Sequence, residues 1–123
     1  MFGDRSSASF DFESIRHSLE TCDTSSLSGL YADDAELQLV DNTRPPSRPT
    51  LFRGRSEIKS YLDDVCSRKM REHRVESEVV GQNRLSYQEA CRYEDGMRVL
   101  TANTLDLDGG KIKRHTVIQA WDQ

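Results

Sequence analysis

Residues 85–121 read LSYQEACRYEDGMRVLTANTLDLDGGKIKRHTVIQAW, and this stretch decides the fold. Apolar and polar residues alternate along it, as they do in strands that bury one face. Asp95-Gly96 is a strong signal for a tight hairpin turn, and residues 108–110 form a second turn signal. The stretch therefore predicts three successive antiparallel strands, from Leu85 to Glu94, from Met97 to Leu107 and from Lys111 to Trp121.

The first 70 residues contain three apolar stripes with helical spacing. The first stripe predicts an amphipathic helix that begins at Ser9 or Asp11. A second, shorter helix follows the N-cap residues 23–26 and extends to Tyr31. The cleanest stripe predicts a third helix from about Ser56 to Met70.

Shorter segments complete the pattern. Alternation predicts a half-buried strand from Ala35 to Leu39 and another from Val75 to Val80. Residues 42–49 contain all three prolines and are predicted to be a loop, because proline cannot donate to a strand ladder. Leu51 to Gly54 is then predicted to be a short edge strand. Helices followed by an antiparallel meander are typical of an α+β fold.

The composition indicates one domain without a membrane span. The chain has 123 residues, of which 35% are hydrophobic, and this is enough for a single core. We expect residues 1–9 to be a flexible amino terminus and residues 10–123 to form the domain. Apolar runs are too short to cross a bilayer, and the amino terminus lacks the apolar core of a signal peptide. These features predict a cytoplasmic protein with no membrane partner.

The charge distribution argues against a nucleic-acid partner. The net charge is −4, and the one basic cluster, from Arg68 to Arg74, is interrupted by an acid. We interpret this cluster as a solvated helix end, where cations complement the helix dipole. Nucleic-acid binding would need a broader basic face.

The cysteines and histidines do not form a metal motif. The three cysteines are odd in number and widely spaced, and we interpret them as reduced core thiols. The three histidines lie on separate predicted elements without ligand spacing, so no metal site is expected. The sequence has no glycine-rich phosphate loop, and no cofactor is expected. The residues concerned are Cys22, Cys66 and Cys91, and His17, His73 and His115.

Three local motifs resemble one family. They are LYADDA at residues 30–35, FRGRSEI at residues 52–58 and DGGKI at residues 108–112. Together with the element order, they resemble the SnoaL-like branch of the nuclear transport factor 2-like superfamily, from about residue 11 to the end. The resemblance implies a cone-shaped α+β domain, in which a curved antiparallel sheet wraps around three helices and leaves an apolar cavity. It also implies that the outer sheet face often forms a homodimer.

The resemblance further implies where a steroid isomerase of this superfamily would carry its polar groups. Counting from the motifs, those positions fall on Ile15, Leu39 and, on a later strand, near Ala102. All three residues are apolar and are expected to line the cavity. An enolate needs a base and hydrogen-bond donors, so isomerase chemistry of that type is not expected.

The remaining candidates are polar residues on predicted cavity-facing positions. Alternation along the last strand puts His115, Val117, Gln119 and Trp121 on one face, and counting from the family motif at residues 108–112 implies that this face lines the cavity. We predict that His115 is a general acid or base. The candidates for orienting this imidazole or the substrate are Asp41, Tyr61 and Gln119, and His73 is a candidate for the rim.

Structural interpretations of the same residues stay open. His115 can be a core histidine bonded to a neighbouring carbonyl. Asp41 can simply start the proline-rich loop through an Asx turn. Tyr61 and Trp121 can be packing residues with a bonded polar tip.

Three functions therefore remain open. The first is a small cofactor-independent enzyme that acts on a hydrophobic polyketide- or steroid-like molecule. The second is a non-catalytic module that binds an apolar ligand or a partner, and the third is a structural dimer with a filled cavity. Ile112, Ile118 and Ala120 are predicted on the outer sheet face, where burial against a second copy would explain them.

Overall fold

The computed structural model of the chain describes residues 11–122, so the expected flexible amino terminus, residues 1–9, lies outside the described part. Three helices and six strands are present in it. The helices are α1 (Phe12–Glu20), α2 (Thr24–Ser28) and α3 (Gly54–Cys66). The strands are β1 (Tyr31–Val40), β2 (Thr50–Arg53), β3 (Met70–Val80), β4 (Arg84–Tyr93), β5 (Arg98–Asp108) and β6 (Lys111–Trp121).

The six strands form one curved sheet in the order β2-β1-β6-β5-β4-β3. The predicted α+β class is confirmed, with three helices against a curved, open sheet. The expectation of an entirely antiparallel sheet was wrong at one pair, because β1 and β6 run parallel. These two strands are far apart in the chain, and a long crossover connection permits parallel pairing, which a hairpin does not.

Two predicted helices end earlier, and the strands after them, predicted from Ala35 and Val75, begin earlier. The third helix ends at Cys66 and not at Met70, because Met70 pairs with Tyr93 as the first residue of β3. The basic residues 68–74 therefore lie on a turn and on the first part of β3, and not at a helix end. Similarly, Tyr31 begins β1 and does not end the second helix. Helical spacing alone does not separate the last turn of a helix from the first residue of the next strand.

A bulge in β6 changes which residues face the helices. Leu107 pairs with Ile112 and Asp106 pairs with Arg114, so Lys113 is left unpaired. Ile112, which was expected on the outer face, is buried as a result, with 2% exposure. Beyond the bulge, Ile118 and Ala120 are exposed on the outer face, as expected. The largest fully buried side chains are Leu37, Ile58, Val75, Leu85, Leu105 and Ile112.

The interpretation of three reduced thiols was wrong, because Cys22 and Cys66 form a disulfide. Their Cα atoms are 5.8 Å apart, although 44 residues separate them in the chain. Packing of α2 against α3 brings the turn after α1 to the end of α3, and no sequence spacing reports that proximity. Cys91 is the free cysteine of the described residues. None of the helices in residues 11–122 is long and apolar enough to cross a membrane.

Candidate functional site

A partly enclosed cavity lies between the inner sheet face and the helices. The space open to the centre of a water molecule is about 60 Å³, which is room for about four waters. Most of its walls are apolar. Apolar side chains on its walls include Ile15, Leu19, Leu27, Leu30, Leu62, Val65, Val99, Leu105, Ile112 and Val117.

The register of β4, β5 and β6 stacks the inward-facing residues into layers. The layers run from the strand ends near Tyr93, where the chain leaves β4, to the opposite end of the sheet. In that order they are Cys91, Val99 and Trp121; Glu89, Thr101 and Gln119; Tyr87, Asn103 and Val117; and Leu85, Leu105 and His115. A polar side chain occurs in every layer, so polar groups can meet along the length of the cavity.

His115 lies in the last of these layers and is 4% exposed. Its Nδ1 is 2.8 Å from the Tyr31 hydroxyl, and its Nε2 is 2.7 Å from Oδ1 of Asn103. Burial lowers the pKa of His115 to about 3, so the ring is neutral at pH 7. Both ring nitrogens are bonded within the protein, which leaves neither for a ligand. The contacts favour the interpretation of His115 as a core histidine, bonded here to a side-chain carbonyl.

Asn103 links this histidine to a carboxylate. Its Nδ2 donates to Oε1 of Glu89 at 3.1 Å, and a carboxylate can only accept, so Oδ1 of the amide faces His115. His115 therefore donates from Nε2, and the Tyr31 hydroxyl donates to Nδ1. Burial raises the pKa of Tyr31, so that hydroxyl keeps its proton. We call the connected side chains of Tyr31, His115, Asn103, Glu89 and His73 the polar chain.

The polar chain ends at His73. Oε2 of Glu89 is 2.8 Å from Nε2 of His73, and the two side chains are 17% and 10% exposed. Because the carboxylate accepts, Nε2 carries the proton. Nδ1 of His73 is buried and has no hydrogen-bond partner within residues 11–122, and such an atom requires an explanation. A carboxylate that orients an imidazole with one open nitrogen is the arrangement of a general base.

A second group of polar side chains joins α3 to β6. Nε2 of Gln119 is 3.4 Å from the Tyr61 hydroxyl, and Nε1 of Trp121 donates to Oε1 of Gln119 at 3.2 Å. Burial raises the pKa of Tyr61, so the hydroxyl keeps a proton. Since this hydroxyl accepts from Gln119, its own proton is free to be donated to an oxygen in the cavity. Trp121 also stacks on Tyr93, with the ring planes 9° apart.

The structure brings four of the expected lining residues together around the cavity, namely Ile15, Tyr61, Val117 and Gln119. Leu39 is buried beside them in the core, but it does not line the cavity. Trp121 touches Gln119 and borders a separate groove at the strand ends.

Two of the expected site residues need correction. Ala102 is exposed on the outer face, because Thr101 and Asn103 are the residues of β5 that point inward. The inward-facing residue next to Ala102 on β5 is therefore polar, namely Asn103. Asp41 does not line the cavity, and its Oδ1 accepts from the backbone nitrogens of Thr43 at 2.9 Å and Arg44 at 3.1 Å. These bonds make an Asx turn that starts the proline-rich loop.

Glu89 is the residue that sequence reasoning missed. A signal for it was present: Glu89 has the same parity as Leu85, Tyr87, Cys91 and Tyr93, so alternation alone places a carboxylate on an otherwise apolar strand face. A buried carboxylate needs a partner, and this requirement points toward a histidine or amide on the neighbouring strands.

Comparison with known proteins supports the fold. No family model matches the chain, and no curated protein matches it. A nuclear transport factor 2-like protein of unknown function from Mesorhizobium loti shares 17% identity over 88% of this chain and 86% of its own, with a TM-score of 0.74. A similar protein of unknown function from Burkholderia xenovorans LB400 shares 16% identity over 89% and 79%, with a TM-score of 0.72.

A third solved structure is that of a proposed ketosteroid isomerase from Kribbella flavida DSM 17836. It shares 15% identity over 88% of this chain and 72% of its own, with a TM-score of 0.66. Sequence identities this low show a shared fold and do not show a shared activity. The chain has the nuclear transport factor 2-like fold, as its motifs led us to expect.

Proposed function

We propose that the protein is a small cofactor-independent enzyme that moves a proton on a hydrophobic, oxygenated small molecule, with His73 as general base. The observation that carries this proposal is the buried, unpartnered Nδ1 of His73, held by Glu89 at the wall of an apolar cavity. The proposal moves the catalytic role from His115 to His73, because both nitrogens of His115 are already bonded.

The polar chain supports each part of the proton transfer. Nδ1 of His73 takes a proton from a carbon next to a carbonyl group, and the negative charge of Glu89 stabilises the imidazolium that forms. Asn103 donates to the other carboxylate oxygen and so holds the plane of the carboxylate. The Tyr61 hydroxyl donates to the carbonyl oxygen as that oxygen gains charge. Return of the proton to a different carbon of the substrate completes an isomerisation.

The size of the cavity limits the substrate. A space of about 60 Å³ is smaller than the ~150 Å³ cavity that holds a benzene ring, so the enclosed part admits a short branched chain or the edge of one ring. A polyketide- or steroid-like substrate would therefore insert only the edge of one ring and keep the rest in the open end. The apolar walls favour a neutral molecule, because a charged one would lose its hydration without a compensating partner.

Deuterium exchange tests this function without knowledge of the natural substrate. The protein is incubated in D₂O with small cyclic ketones, and NMR follows exchange at the carbon next to the carbonyl. We expect exchange by the wild-type protein and its loss in His73→Asn. His17→Asn is the matched control, because His17 is exposed on α1. Equal exchange by the wild type and His73→Asn would exclude His73 as the base.

A non-catalytic binding module is the second candidate. The same open nitrogen favours it, since a bound ligand could donate a hydrogen bond to Nδ1 of His73 without reacting. Native mass spectrometry of protein from its own host distinguishes the two functions: an unaltered ligand supports binding alone, and a converted product supports catalysis.

We also propose that two copies pair through the outer sheet face. Leu100 and Ile118 are 48% and 52% exposed there, and Ala102 and Ala120 lie between them in the register of β5 and β6. Contact with a second copy would remove this apolar surface from water. Sedimentation of a monomer at micromolar concentration would contradict the pairing.

A cytoplasmic location remains part of the proposal, although Cys22 and Cys66 are not the reduced thiols that we expected. The Cys22–Cys66 disulfide is of a kind that persists in oxidising compartments. Fractionation of the host cells tests the location directly.

A further inference from the structure

Cys91 is a thiol in the cavity for which proton transfer supplies no role. It lies directly opposite His73 in the register of β3 and β4, and both residues line the cavity. Cys22 and Cys66 are bonded to each other, so Cys91 is the free thiol of residues 11–122. Side chains directly opposite in an antiparallel pair have Cβ atoms about 4.5–5.5 Å apart. Rotation of the Cys91 side chain can therefore bring its thiol toward the imidazole.

A second observation marks this place as a site for a ligand. The His73 side chain is 10% exposed, and its Nδ1 is the one buried side-chain nitrogen or oxygen of the described residues that lacks a hydrogen-bond partner. Glu89 holds the other nitrogen at 2.8 Å. A thiol, an imidazole with an open nitrogen and a carboxylate that orients the imidazole are the parts of an activated nucleophile.

We propose that Cys91 adds to the β-carbon of a small, apolar α,β-unsaturated carbonyl compound bound in the cavity, with His73 as the base. This inference rests on the proposed function, because it uses the same open nitrogen of His73, but it assigns a covalent step and a substrate class of its own.

The step is balanced without a co-reactant. The Cys91 thiol gives its proton to Nδ1 of His73, and its sulfur forms a bond to the β-carbon. The π electrons of the carbon–carbon double bond move toward the carbonyl oxygen, where the Tyr61 hydroxyl can donate. The imidazolium then returns the proton to the α-carbon, and the product is a thioether. No leaving group departs, and the addition requires no external oxidant or reductant.

The environment of Cys91 selects among electrophiles. Burial and the nearby charge of Glu89 raise the pKa of the Cys91 thiol to about 12, so thiolate is scarce at neutral pH. A reagent that reacts only with the free thiolate therefore modifies Cys91 slowly. An apolar electrophile that binds beside His73 reacts while the base removes the proton. Anionic reagents such as iodoacetate are further disfavoured by the apolar walls and by the negative charge of Glu89.

The experiment exposes the intact, unreduced protein to 2-cyclohexen-1-one and, separately, to iodoacetate. Intact-mass spectrometry follows the adducts, and peptide mapping locates them. We expect one enone adduct on Cys91, formed faster than iodoacetate labelling, and no such adduct in Cys91→Ser. His73→Asn should slow the addition about 100-fold, as loss of a general base does. His17→Asn should leave the rate unchanged.

A second variant protects the test against misfolding. Glu89→Gln removes the charge but can still accept from His73, and we expect it to slow the addition about 10-fold. Near-UV circular dichroism reports the fold of each variant. An enone adduct that forms at the wild-type rate in both folded variants would overturn the proposal, as would an adduct away from Cys91. If one variant is unfolded, the other variant decides the test. If both variants are unfolded, the wild-type protein decides it: an enone addition no faster than iodoacetate labelling overturns the proposal, and a faster addition supports it.

The ketone exchange experiment separates this inference from the proposed function. Exchange by the wild-type protein without an enone adduct would refute the role of Cys91 and leave proton transfer standing. Absence of both exchange and adduct would refute the two together.

Discussion

His115 and His73 face the same cavity from its two ends, yet their environments are opposite. His115 has both ring nitrogens bonded, to Tyr31 and Asn103, whereas His73 has one nitrogen bonded to Glu89 and one that is buried without a partner in the described structure. Core packing accounts fully for the first imidazole and only partly for the second. A buried polar group therefore points to function only when part of its hydrogen-bonding capacity is unused.

The largest expected effect separates the two histidines by activity. His73→Asn should reduce ketone exchange about 10²- to 10⁴-fold, because a general base contributes that much. Urea unfolding should show a loss of about 1–3 kcal/mol, because the variant also removes Nε2, which bonds the part-buried Glu89 carboxylate. A large loss of stability with unchanged exchange would reverse the roles that we assign to the two ends.

The next effect is the pH dependence of stability due to His115. The pKa of His115 is about 3 in the folded protein, below the ordinary histidine value of 6.5, so between these values the unfolded chain binds a proton that the folded protein does not. Folded stability should therefore fall as the pH drops from 6.5 toward 3, by at most about 5 kcal/mol from this residue. Urea unfolding of the wild type and His115→Gln across that range measures the difference. Parallel pH profiles would show that His115 titrates in the folded protein.

The disulfide should stabilise the end of the molecule that carries the proposed site. Closing a loop across 44 residues of separation is worth about 4 kcal/mol by the chain-entropy estimate. Reduction, or the double variant Cys22→Ala with Cys66→Ala, should lower the midpoint of thermal unfolding accordingly. Thiol counting in denaturant without reductant is the control, and we expect one reactive thiol per chain. Three reactive thiols would contradict the disulfide.

The smallest effect concerns the far end of the polar chain. Tyr31→Phe removes the hydroxyl that donates to Nδ1 of His115 and should cost about 1–2 kcal/mol of stability, because a buried acceptor loses its partner. Ketone exchange should stay near the wild-type rate, since Tyr31 lies three residues along the polar chain from Glu89. A loss of exchange comparable to that of His73→Asn would mean that the two ends act as one unit.

The sequence predicted the architecture well, because strand alternation and turn signals are local. The last strand was placed from Lys111 to Trp121, as observed, and Ile118 was placed correctly on the outer face. Ile112 was misplaced, because a bulge at Lys113 reverses the parity of β6. Periodicity assumes an unbroken ladder, and a bulge is an interruption that periodicity does not report.

The candidate site was less predictable, because it depends on contacts between distant strands. Glu89 and His73 each have an inward parity, but only the register of β3 and β4 brings them within 2.8 Å. Likewise, Asp41 was a candidate by position, and its local bonds to Thr43 and Arg44 account for it. Residue type shows which chemistry is possible, and the pairing of the strands decides which polar groups keep an unused hydrogen-bonding atom.

The most direct test of the account is a long-range ¹H–¹⁵N NMR spectrum of the histidine rings, recorded before and after a small cyclic ketone is added. We predict that His115 keeps the tautomer protonated at Nε2 and that its nitrogen resonances do not move. The Nδ1 resonance of His73 should move as the ketone binds. Movement at His115 with none at His73 would contradict the central claim, that the cavity meets its ligand through the imidazole held by Glu89.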